Sequence, residues 1–72
     1  MKYTMKFYVF NGFNQTEINM QEVLESTTVK GAFEEFSFKC KTLESIIDVK
    51  NGYHVNAYLT DGTTNINVYT IE

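Results

Sequence analysis

Three dipeptides of one kind, Asn11-Gly12, Asn51-Gly52 and Asp61-Gly62, punctuate a 72-residue chain that contains no proline. Glycine enters positive φ without a Cβ clash, and Asn or Asp tolerates it. Each pair therefore marks a tight reversal between extended segments. The flanking residues test each pairing, because directly opposed residues of an antiparallel pair share a face and a sound register sets apolar against apolar. At Asp61-Gly62 a two-residue turn opposes Leu59 to Thr64, Ala57 to Ile66, Val55 to Val68 and Tyr53 to Thr70. It leaves Tyr58/Asn65, Asn56/Asn67 and His54/Tyr69 on the other face. At Asn51-Gly52 a three-residue loop sets Val49 against Tyr53 and Ile47 against Val55. That loop extends the same apolar face and requires Gly52 in the left-handed region, as a bulge. Residues 46–71 read as a three-stranded antiparallel meander.

At Asn11-Gly12 a two-residue turn opposes Phe10 to Phe13, Lys6 to Glu17, Met5 to Ile18 and Tyr3 to Met20. Residues 2–10 and 13–21 read as an N-terminal hairpin. The rival for residues 13–26 is a short helix from Met20, with Asn19 as N-cap and Glu22 closing a capping box.

Between the two sheet segments, Val29, Phe33, Phe36, Cys40 and Leu43 recur at spacings of four, three, four and three, a single helical stripe. Lys30/Glu34 and Glu35/Lys39 sit at i,i+4 on its flanks, and Thr27 or Thr28 can cap its start. The spacing predicts a helix over 28–43. Gly31 weakens it, and Phe38 lies opposite the stripe; a strand over 36–41 would explain Phe38 better. The expected fold is α+β: an N-terminal β-hairpin, one α-helix and a C-terminal three-stranded antiparallel meander, with the helix packed on one sheet face and residues 1–72 forming a single small domain.

Composition narrows the function. The chain carries six Lys, no Arg, nine acidic residues and a net charge of −3. Duplex DNA binding leans on a basic footprint and on bidentate Arg, so duplex DNA is not an expected partner. No stretch approaches the ~20 apolar residues of a membrane span. The first residues alternate apolar with polar rather than forming a signal-peptide core, and the lone Cys argues for a reduced thiol; the expected location is cytoplasmic. Lys without Arg, together with seven Asn and nine Thr, points to an AT-rich genome, such as that of a low-GC bacterium or its phages and mobile elements.

Little catalytic chemistry is on offer. His54 is the only imidazole. The meander register sets it beside Asp48 and Tyr69, but with no nucleophile placed for activation, so the row reads as a cross-strand polar contact. Cys40 lies on the helix stripe and reads as a small buried hydrophobe. Glu34 and Glu35 are sequence neighbours that point apart on a helix. One Cys and one His cannot supply a four-ligand zinc site, and the phosphate-cradling and calcium-loop motifs are missing. The expectation is a non-enzyme with no catalytic residues, no metal and no cofactor.

What remains is the polar sheet face. Tyr58, Tyr69, Asn56, His54, Asn67 and Tyr8, with Phe10, are gathered there by the expected registers. Tyr and Asn give amphipathic contact area at low entropic cost. This face is the expected partner-binding surface of a small accessory or regulatory protein whose partner is a protein of unknown identity. Phe38 and Phe13 are further exposed aromatics, and a homodimer is one way of covering them. The rival functions are a single-stranded nucleic-acid binder that stacks bases on Tyr8, Tyr58 and Tyr69, and an acidic inhibitor of a nucleic-acid enzyme.

Overall fold

A computed structural model describes residues 1–72. Four strands and one long helix follow in the order β1 (Lys2–Asn11), β2 (Thr16–Glu25), α1 (Val29–Ile46), β3 (Tyr53–Thr60) and β4 (Asn65–Ile71), with a 3-10 turn at Val49–Asn51 before β3. The strands form one antiparallel sheet in the order β2-β1-β3-β4, and the helix packs on one face of it. The α+β class expected from the pattern is the class found.

β1 is the spine of the sheet. Tyr3, Met5, Phe7 and Val9 alternate along it and are all buried. Val55, Ala57 and Leu59 of β3 oppose Val9, Phe7 and Met5 on the same side. Onto this surface the helix sets Ala32, Phe36 and Cys40, with the Phe36 ring 6.4 Å from that of Phe7. Thr28 caps the helix, its hydroxyl accepting from the Gly31 N–H at 3.0 Å. Phe38 is 70% exposed, as its place opposite the stripe requires. Neither the strand reading of 36–41 nor the short helix from Met20 is realised: the first segment lies inside α1 and the second inside β2.

The three-stranded meander is a correction. Residues 46–49 form no strand, because α1 runs to Ile46 and the chain then turns through Val49–Asn51. Strand β3 pairs with β1 instead. The reason is apolar content: β1 offers four consecutive buried positions on one face, where the expected strand offered only Ile47 and Val49. Gly52 does adopt the left-handed conformation, with φ 90°, but it ends the 3-10 turn rather than bulging a hairpin.

Both hairpins exist with registers other than those expected. In the first, Tyr3 faces Leu24 and Met5 faces Glu22, so Leu24 replaces Met20 opposite Tyr3. The displacement is even and leaves the faces unchanged. Its cause is Asn11, whose Oδ1 accepts from the N–H groups of Phe13 at 2.7 Å and Asn14 at 3.1 Å, opening the loop to residues 12–15. The left-handed residue there is Gln15, at φ 57°. In the second hairpin Ala57 faces Tyr69 rather than Ile66, and Val55 faces Ile71 rather than Val68. That displacement is odd and turns β4 over. Asp61 Oδ1 accepts from Thr63 and Thr64 at 2.9 Å each, holding a wider loop, and a bulge between Leu59 and Thr60 sets Ile66 against the core.

Candidate functional site

The face the helix leaves open is built from the alternate residues of the two central strands. β1 contributes Lys2, Thr4, Lys6, Tyr8 and Phe10; β3 contributes His54, Asn56 and Tyr58. Each is placed by the same alternation that buries Met5, Phe7 and Val9 on the other side. Tyr8 stands opposite Asn56, Phe10 opposite His54, and Lys6 opposite Tyr58. The Tyr8 and Tyr58 rings meet edge to face with centroids 5.6 Å apart. The Phe10 and His54 rings stack at 5.1 Å and 27°. Val68 of β4 stands opposite Tyr58, more than half exposed, and continues the apolar line toward the sheet edge.

Charge is sparse at the centre of this face. Lys2 stands opposite Glu25 at one end, and Glu17 stands opposite Phe10 at the other. With Lys6 these are its only ionised side chains, two of each sign, so the net charge of −3 lies wholly elsewhere.

Of the expected contact residues, the fold therefore brings together Tyr8, His54, Asn56 and Tyr58. Tyr69 and Asn67 are corrections: they lie on the helix side, opposite Ala57 and Leu59. The odd register displacement of β4 put them there. Tyr69 instead donates its hydroxyl proton to the Glu44 carboxylate on α1, and this hydrogen bond holds the phenol above its ordinary pKa. The expected row of Asp48, His54 and Tyr69 does not form. His54 stacks on Phe10, while the Asp48 carboxylate accepts from the Asn51 amide. Phe10 and Val68 deserve equal standing with the expected residues. Phe10 was legible as an alternating aromatic of β1, but Val68 was hidden by the same register displacement.

Two hollows lie where α1 meets β2. Where β2 diverges from α1, Phe7, Met20, Glu22, Lys39, Thr42 and Leu43 line an apolar slot of about 200 Å3. Lys39 and Glu22 pair across it at 3.3 Å, each a little under half exposed. At the β2–α1 junction, Glu25, Glu34 and Glu35 line one shallow groove, although sequence spacing scattered them. No three Cys, His, Asp or Glu side chains converge on a point where they could hold a metal ion. No helix is long and apolar enough to cross a membrane. Cys40 is fully buried, and burial, reinforced by nearby Glu44, pushes its thiol up to about 11. Comparison with protein-family models, with curated proteins and with solved structures finds no match to this chain.

Proposed function

We propose that this chain is a small protein-binding accessory or regulatory protein that acts by surface contact, with Tyr8, Phe10, His54, Asn56 and Tyr58 at the centre of the contact. One observation carries the reading: paired aromatic rings on the two central strands stand on a sheet face that the helix leaves open, with most of the charge at its ends. Protein interfaces have this anatomy, aromatic and poor in charge at the core with a polar rim. The composition adds a setting, the cytoplasm of a low-GC bacterium, with the gene resident there or on one of its phages or mobile elements.

A second reading has one observation in its favour. Aromatics on the central strands of an open sheet are also how some proteins stack single-stranded bases. The face offers only Lys2 and Lys6 against Glu17 and Glu25, which leaves no net positive charge for a phosphate backbone.

The experiment is an affinity capture from the native host with wild-type protein, a Tyr58→Ala variant and a Phe10→Ala variant. A central aromatic typically contributes ~2 kcal/mol or more to binding, so each variant should weaken capture by about tenfold or more. The circular dichroism spectra should be nearly unchanged, because these rings already touch water. Normal binding of the same protein by both variants would remove the open face from consideration. Salt-dependent binding to poly(U), lost in both variants, would move the assignment to the nucleic-acid reading.

A further inference from the structure

The sheet has two edges, and they differ in kind. Strand β2 carries Glu17, Glu22 and Glu25 and no basic residue, so pairing it with a second β2 gathers carboxylates of one sign. Strand β4, Asn-Ile-Asn-Val-Tyr-Thr-Ile from Asn65 to Ile71, has no charged residue and no proline. Charges, prolines and inward-pointing ionised groups are the usual guards of an exposed edge, and β4 has none of them.

We propose that β4 pairs antiparallel with β4 of a second copy of this chain, about a two-fold axis through Val68, to form one continuous eight-stranded sheet. The backbone is set for it. The Val68 N–H takes no part in the ladder to β3; it donates to the side-chain Oδ1 of its own neighbour, Asn67, at 2.9 Å. With β3 the sole neighbour of β4, that N–H points out of the sheet, and the alternation of a strand sends the Thr70 N–H the same way. The Asn67 oxygen stands where a partner strand's carbonyl would stand. On pairing, the carbonyl of the partner's Val68 takes its place, and the reciprocal bond forms by symmetry.

The side chains agree with this register. Centred on Val68, the pairing sets Val68 against its own copy and Asn67 against Tyr69, short of the bulged Ile66, with no charge opposed anywhere along the strand. Val68, 54% exposed in the single chain, becomes covered. Because the other edge is guarded by its glutamates, the assembly closes at two copies rather than growing into a filament. Of the open face the pairing covers only Val68 at its margin and leaves the rings of Tyr8 and Phe10 free, so it stands or falls separately from the contact centred on those rings.

The test is sedimentation equilibrium of the full chain from micromolar to millimolar concentration. The wild-type protein should show a reversible dimer. Val68→Lys sets two like charges opposite each other at a solvated position, and should raise the dissociation constant by about tenfold or more without altering the circular dichroism spectrum. Val68→Cys should form a covalent dimer on air oxidation, because opposed residues of a hydrogen-bonded antiparallel pair have Cα atoms about 5.5 Å apart, within disulfide reach. A wild-type chain that stays monomeric throughout would overturn the proposal, including the case in which the edge takes an extended segment of some other protein. So would a Val68→Lys variant that dimerises as tightly as wild type, or a Val68→Cys variant that does not cross-link.

Discussion

Two side chains show how much of this small fold rests on single groups. Asn11 is buried at 3% exposure, yet every polar atom of its amide that contacts the protein is used: Oδ1 accepts from Phe13 and Asn14, and Nδ2 donates to the Asn51 carbonyl at 2.9 Å. It ties the β1–β2 loop to the turn before β3, which lies forty residues away in sequence. Cys40 is the other. Its thiol is buried beneath α1 and pushed up to about 11, against 9.0 for a free thiol. Below pH 9 both folded and unfolded chains hold the proton, and the favourable contribution is complete. Between about 9 and about 11 the unfolded chain releases its proton first, so it binds fewer protons than the folded chain and stability falls as pH rises. Tyr69, raised by its hydrogen bond to Glu44, acts in the same direction above its ordinary value of 10.0. Melting curves from pH 8 to 11 should therefore show an alkaline decline that is shallower in Cys40→Ala, itself less stable by about 1 kcal/mol at neutral pH through the small cavity it leaves. An alkaline limb of the same slope in both proteins would show that Cys40 is not what drives it.

At the scale of elements, the second hairpin depends on one carboxylate. Asp61 Oδ1 accepts from the Thr64 and Thr63 N–H groups, and these bonds hold the acid below its usual 3.8. A depressed folded pKa means that the contribution is present above 3.8 and is lost as pH falls through the folded value. An NMR titration should show the Thr63 and Thr64 amide shifts moving together with a midpoint below 3.8, and Asp61→Asn should remove that titration while keeping the acceptor. A midpoint at or above 3.8 would mean that the loop is not held this way. The same hairpin explains why sequence reading went astray. A turn between residues 60 and 65 was legible, and so was the helix, because Val29 to Leu43 repeats with one period only. Strand β4 is different. It carries apolar residues at both parities, Ile66 and Val68 on one and Tyr69 and Ile71 on the other. Matching apolar to apolar cannot then choose a register, and the bonds that do choose it are not visible as a hydrophobic pattern: those of Asp61, and those of the Thr60 hydroxyl, which donates to the Thr64 carbonyl at 2.8 Å and accepts from the Gly62 N–H at 3.1 Å. Tyr58 kept its expected face because β3 alternates cleanly; Tyr69 and Asn67 lost theirs because β4 does not.

The whole molecule is held together by β1, which pairs with β2 beside it in sequence and with β3 more than forty residues away. The two faces it separates are unequal. On one, twelve buried residues of the sheet and α1 share a single cluster; on the other, aromatic rings stay partly in water. Substitutions should divide along the same plane. Val55 is the sharpest probe, being fully buried in β3 between Val9 of β1 and Ile71 of β4. A domain of this length commonly holds only about 3–5 kcal/mol of net stability. An unpaired carboxylate at such a position costs at least that much, whether it stays ionised or takes up a proton. Val55→Asp should therefore abolish the cooperative melt and collapse amide shift dispersion throughout the chain, β2 included, because β1 is the only strand that pairs with β2. Tyr58→Ala, three residues further along the same strand but on the open face, should leave both nearly intact. A Val55→Asp protein that remained folded, with dispersed amides, would mean that the buried layer does not run through β3 and that the sheet order itself is wrong.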